Sequence, residues 1–250
     1  MLTTQTYGEP GNGPPLLIAH GLYGSARNWG VIAKKLSEAR RVVVVDMRNH
    51  GESPWFDTHS YEDMAFDLGQ VLDGPSDVLG HSMGGKAAMM LALTAPGLVN
   101  KLIVADIAPV AYAHTQMPMI DAMRRVDLSK VSTRRDADTQ LARDIEDRSV
   151  RAFLLQSLDV QERRWKLNLD VLAHDMEKII GFPDIESARF DGPTLFLSGA
   201  KSDYVTRAHR GDIKALFTKP RFAKIPDAGH WLHADNPGAF VAAALTFLDH

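Results

Sequence analysis

Short aliphatic runs alternate with longer mixed stretches along most of the chain. Pro15–Ala19, Arg41–Asp46, Asp77–Gly80, Lys101–Asp106, Thr194–Ser198 and Arg221–Ile225 are rich in Val, Ile, Leu and Phe. Several are apolar on both faces, as strands buried in a covered sheet require. Ala26–Leu36, a stretch beginning at Ser60, and Met83–Thr94 follow a helical pattern, with Ser25 and Ser60 as N-caps. Strands separated by helices predict an α/β fold with a mostly parallel sheet covered on both sides. The alternation stops between Ile107 and Gly192, where no strand is evident and Met117–Val126, Asp136–Gln156 and Val160–Ile180 read as helices. The expected organisation is a core of residues 1–109 and 193–250, with residues 110–192 a helical cap inserted between strands. In such sheets ligands bind beyond the carboxyl ends of the strands, so the residues just after each strand carry most information.

Composition narrows the chemistry. The chain has 250 residues, 45% hydrophobic and 24% charged, which suits one large globular domain that needs no covalent staple. Its 28 basic and 31 acidic residues leave a net charge of −3, without the basic excess that nucleic acid selects. With no cysteine, disulfides, zinc–thiolate sites, iron–sulfur clusters and a thiol nucleophile are excluded. From Asp121 to Lys166 there are 11 basic and 9 acidic residues, the balance of solvated helix faces rather than of an anion site. Met1–Tyr7 lacks the pattern of a signal peptide, and the apolar stretch Ala87–Asn100 is interrupted by Pro96 and too short to span a bilayer. A cytoplasmic protein without a membrane span or cofactor is expected; oligomeric state is not legible.

The most informative segment is Asp77-Val78-Leu79-Gly80-His81-Ser82-Met83-Gly84-Gly85. It places Gly-x-Ser-x-Gly between a predicted strand and a predicted helix, where a serine on a strained turn presents its hydroxyl. The glycines allow the helix to approach the strand, and N–H groups at the helix start face any oxyanion formed there. The same residues match part of a phosphate-binding loop, Gly80-x-x-x-x-Gly85-Lys86, but that motif continues with Ser or Thr to hold magnesium, and here Ala87 follows.

A serine needs a base. His230, in Ala228-Gly229-His230-Trp231 after the last strand, is the best-placed histidine, with His233 its neighbour. The His230-x-x-His233 pair has no third ligand in reach by sequence, so no metal is expected. The base needs an acid. Asp106 ends the strand after the serine and Asp203 follows a later strand; the order Ser, Asp, His accommodates both, and spacing alone does not decide. His20-Gly21-Leu22-Tyr23-Gly24-Ser25 follows the first predicted strand, where a loop supplies an oxyanion-binding N–H. Leu22 and Met83 are the expected backbone donors.

Taken together, His20-Gly21-Leu22-x-Gly24-Ser25, Asp46-x-Arg48-Asn49-His50-Gly51, Gly80-His81-Ser82-Met83-Gly84-Gly85-Lys86, Asp106-Ile107-Ala108-Pro109, Asn168-Leu169-Asp170 and Gly229-His230-Trp231-x-His233-Ala234 resemble the α/β-hydrolase family across nearly the whole chain. The likeness is to its YbfF-type esterases, their mitochondrial relatives and the yeast ethanol acetyltransferases. The resemblance implies an α/β-hydrolase fold and a serine hydrolase of small acyl esters or acyl-CoA thioesters. Acyl transfer to alcohols and a non-catalytic ligand-binding role are the alternatives. It places the acid in the Asp-Ile-Ala-Pro segment, at Asp106. This chain departs from the group by also carrying Asp203, and Asp170 is a third candidate. Met117, Met119, Ile120, Met123 and Trp231 are the expected walls of the acyl pocket.

Overall fold

The computed structural model describes residues 1–11, 13–185 and 188–250. Strand β1 (Thr4–Tyr7) is followed by β2 (Leu16–Ala19), helix α1 (Gly30–Leu36), β3 (Val42–Val45), α2 (Tyr61–Val71), β4 (Ser76–His81), α3 (Met83–Thr94) and β5 (Val99–Ala105). The chain then leaves the sheet through α4 (Met117–Arg125), α5 (Arg134–Leu141), α6 (Arg148–Leu154), two short strands β6 (Leu158–Asp159) and β7 (Arg164–Trp165), α7 (Leu169–His174) and α8 (Met176–Ile180). It returns as β8 (Thr194–Gly199), α9 (Arg210–Leu216), β9 (Pro220–Ile225), α10 (Leu232–Asp235) and α11 (Pro237–Leu248).

The seven-stranded sheet has the order β1-β3-β2-β4-β5-β8-β9. Only β1 pairs antiparallel; every other neighbour is parallel. Successive strand residues point to opposite faces, and two apolar layers result. Leu16, Ile18, Val42, Val44, Leu79, Ile103 and Leu197 pack with Ile32 and Leu36 of α1 and Phe240 and Ala244 of α11. Leu17, Val45, Val78, Leu102, Val104 and Phe196 pack with Met64 and Leu68 of α2 and Met89 and Met90 of α3. Burial on both faces is why these strands lack polar–apolar alternation.

Three expectations of helix give way to shorter elements. The stretch 26–36 opens as a 3-10 turn over Ala26–Trp29 before α1 begins. Asp136–Gln156 divides into α5 and α6, because Asp147 accepts the N–H groups of Ser149 and Val150 and so starts a new helix. Val160–Ile180 instead holds the turn and second strand of a β6–β7 hairpin that begins at Leu158, followed by two short helices. Asp159 Oδ1 accepts the N–H groups of Gln161 and Glu162 to form the turn, and Asn168 caps α7. Among the described residues, no helix is long and apolar enough to cross a membrane.

Candidate active site

Ser82 sits between β4 and α3 with φ 52° and ψ −120°. This is a strained backbone for a residue with a Cβ, and it persists only where the surroundings over-determine it. The surroundings here are tight. A Cβ on Gly80 would strike the Gly84 carbonyl, and one on Gly84 would strike the carbonyls of Ala19 and His20. The Ser82 N–H donates to the Ala105 carbonyl at 3.0 Å, tying the turn to the neighbouring strand.

Asp106 follows β5 and also has a positive φ, 53°. Its N–H donates to Leu197 O at 2.7 Å and its side chain is fully buried. The carboxylate has three donors. Gly199 N–H lies 3.1 Å from Oδ1, the Ser202 hydroxyl meets Oδ2, and His230 Nδ1 is 2.8 Å from Oδ2. A carboxylate can only accept, so His230 carries its proton on Nδ1 and presents a lone pair at Nε2. That Nε2 stands 3.1 Å from Ser82 Oγ. The Tyr204 ring stacks on the His230 ring at 4.0 Å between centroids, and His81 Nε2 donates to the His230 carbonyl at 2.8 Å. In this geometry the Ser82 hydroxyl can lose its proton to His230 as its oxygen attacks a carbonyl, and Asp106 can hold the resulting imidazolium.

Asp203 is exposed and has no hydrogen-bond or ion-pair partner among the described residues. Asp170 points outward, 92% exposed, and pairs with Arg124. Neither is hydrogen-bonded or ion-paired to His230. His233 packs flat on Trp29, with centroids 4.2 Å apart, in the layer behind His81.

The Ser82 hydroxyl opens into a cavity of about 280 Å³. Its floor comes from residues following strand ends, among them Gly21, Ser82, Ile107, Tyr204 and His230, and its walls include Phe153, Leu154 and Ile180 from the β5–β8 excursion. Leu22 and Met83 both line it, and neither N–H has an acceptor among the described residues. Of the expected wall residues, Met119 and Trp231 face the cavity; Met117, Ile120 and Met123 do not. Ile120 and Met123 are fully buried on the inner face of α4, and Met117 packs against the same core. Met119 and Met123 lie one turn apart on the same side of α4, so depth of burial rather than helical phase separates wall from core, and a run of apolar positions does not show depth.

Sequence reading missed Ser202, Tyr204 and the structural part of Lys86. Lys86 is buried and donates to the carbonyls of Ile180, at 2.9 Å, and Gly181, at the end of α8. Its ammonium also lies 4.9 Å from the Tyr112 ring centroid, and burial lowers its pKa to about 7. This lysine joins the serine's helix to the β5–β8 excursion.

Several histidines are held neutral by burial. Desolvation lowers His20 to about 4, and His50 and His233 to about 3; His59 and His81 also lie well below the ordinary value. The unfolded chain therefore takes up protons below about pH 6.5 that the folded chain refuses. Stability present above that pH is lost as pH falls toward the folded values. At pH 5 each strongly shifted histidine costs about 2 kcal/mol. Urea denaturation at pH 7.5 and pH 5 tests this, and equal unfolding free energies would contradict it.

The chain is 40% identical to a solved marine microorganism esterase, with a TM-score of 0.94 over 99% of both chains. It is 41% identical to the sn-1-specific diacylglycerol lipase ABHD11 of Danio rerio, over 99% of this chain and 82% of that protein. It is 36% identical to esterase YbfF of Escherichia coli strain K12, over 99% and 98% respectively. A model of the alpha/beta hydrolase family matches residues 16–244. The chain belongs to the alpha/beta hydrolase family.

Proposed function

We propose that this protein is a serine esterase, hydrolysing carboxylic esters of small acyl substrates through an acyl-enzyme on Ser82. The observation that carries the reading is the hydrogen-bonded series Ser82–His230–Asp106 at the floor of a largely apolar cavity. His230 takes the hydroxyl proton as Ser82 Oγ attacks the ester carbonyl. The N–H groups of Leu22 and Met83 receive the oxyanion. His230 then protonates the departing alcohol, which leaves the acyl group on Ser82. A water gives its proton to His230 and attacks the acyl-enzyme, and the acid is released with the serine restored. Residues 110–192 act as a cap, with Phe153, Leu154 and Met119 enclosing the acyl chain. The names of the relatives, an esterase and a diacylglycerol lipase, support an ester rather than an amide as the scissile group.

The test combines a fluorophosphonate probe with p-nitrophenyl esters from acetate to palmitate and an acyl-CoA series. The expected result is a single phosphonylated site at Ser82 and ester hydrolysis in which each further buried methylene raises kcat/KM by about fourfold until the cavity is full. Absence of labelling together with inactivity on every ester would overturn the reading. Turnover of acyl-CoA but not of simple esters would move the leaving group to a thiol on the same residues.

A further inference from the structure

Leu22 lies in a turn after β2 whose shape is imposed from outside. Tyr23, its neighbour, has φ 64°, a left-handed backbone that is strained for a residue with a Cβ. Gly24 N–H donates to Gly21 O at 3.0 Å and closes the turn. Tyr23 is then held at three points. Its carbonyl accepts from Ser157 Oγ at 2.8 Å, its hydroxyl donates to Gln116 O at 2.9 Å, and its N–H donates to His50 Nε2 at 3.2 Å.

His50 is fully buried and can meet only one protonation state. Its Nδ1 lies 2.9 Å from the Arg48 carbonyl, which accepts and so requires the proton on Nδ1. The Tyr23 N–H requires a lone pair on Nε2. Both partners select the same neutral tautomer, and burial keeps it neutral. The segment around His50 is itself anchored to the β5–β8 excursion: Gly51 N–H donates to Lys166 O at 2.8 Å, and Asn168 N–H donates to Asn49 O at 3.0 Å.

We infer that His50 is a positioning residue for ester hydrolysis: by accepting the Tyr23 N–H it fixes the Leu22 turn, and with it the backbone donor that meets the oxyanion. The inference rests on the serine-esterase reading above. The N–H groups of Leu22 and Tyr23 flank one Cα, so fixing the second leaves the first little freedom. His50 touches neither substrate nor Ser82. Its contribution belongs to the transition state, because a carbonyl oxygen gains charge only as the tetrahedral centre forms.

His50→Asn and His50→Gln separate this role from simple packing. Asparagine keeps a donor toward the Arg48 carbonyl but is too short to reach Tyr23; the glutamine amide oxygen reaches the position of Nε2. The expected result for His50→Asn is a fall in kcat of about 10- to 100-fold with KM within about twofold. Affinity for a trifluoromethyl ketone analogue of the substrate should weaken by the same factor. His50→Gln should recover most of both. Thermal unfolding of each variant confirms that folded enzyme is compared. Wild-type kcat in His50→Asn overturns the inference. So does an equal loss in both variants with unchanged ketone affinity, which is the signature of a structural residue. Retained activity in Ser82→Ala would instead overturn the esterase reading.

Discussion

Ser82→Ala is expected to lower kcat/KM for a p-nitrophenyl ester by about four to six orders of magnitude while the protein stays folded. A loss of five decades corresponds to about 7 kcal/mol of transition-state stabilisation, far more than one surface hydroxyl contributes to folding. The fold should survive because alanine keeps the Cβ that Ser82 already accommodates at φ 52°, and because the Gly80–Gly84 approach does not involve the hydroxyl. On the proposed mechanism some acceleration over water should remain, because the Leu22 and Met83 N–H groups and the cavity are unchanged by the substitution. His230→Ala should cost nearly as much alone, and the double variant little more than either single one, because serine and base act as one unit. Steady-state kinetics of the three variants, with circular dichroism to confirm folding, checks this. Activity above about 1% in folded Ser82→Ala would show that water, not serine, attacks the ester.

Much of this site was legible because its parts follow strands whose burial leaves a strong mark. Leu16–Ala19 and Thr194–Gly199 are buried on both faces, and residues from the segments after them, Gly21–Gly24 and Tyr204, line the cavity. β1 left no such mark: Thr-Gln-Thr-Tyr lies largely exposed at the sheet edge, so nothing apolar betrays it. The helical excursion misled for a different reason. Its breaks are made by Asp147, Asp159 and Asn168, side chains that cap and turn the backbone, while a count of apolar positions reads them as ordinary polar faces. The Tyr23–His50 contact spans 27 residues and joins two loops; no local pattern encodes it. The acid stood open between Asp106 and Asp203 since each lies at or just beyond a strand end, and only distance separates them.

That separation sets up the second large effect. Asp106→Asn is expected to reduce kcat by about four orders of magnitude, whereas Asp203→Asn should stay within about twofold of wild type. Three donors converge on the Asp106 carboxylate: Gly199 N–H, the Ser202 hydroxyl and His230 Nδ1–H. An amide offers one oxygen and one NH2 group, so it cannot serve them all. Were its NH2 to face Oδ1's present partner, two donors would meet at Gly199. Were it to face His230, the imidazole must accept at Nδ1, and its proton moves to Nε2. Nε2 then confronts Ser82 Oγ with a hydrogen instead of a lone pair, and the hydroxyl has no base. Either arrangement leaves a buried donor poorly matched, so some stability is lost as well, about 1–3 kcal/mol. Asp203 is exposed and bonded to none of these groups, so its amide leaves the tautomer of His230 unchanged. Comparing kcat of the two variants at equal folded fraction decides the matter. A near-normal Asp106→Asn beside a crippled Asp203→Asn would require the loop after β8 to swing inward during turnover and bring the second carboxylate to His230. In that case Asp106 serves to anchor Gly199 and Ser202 at the end of β8.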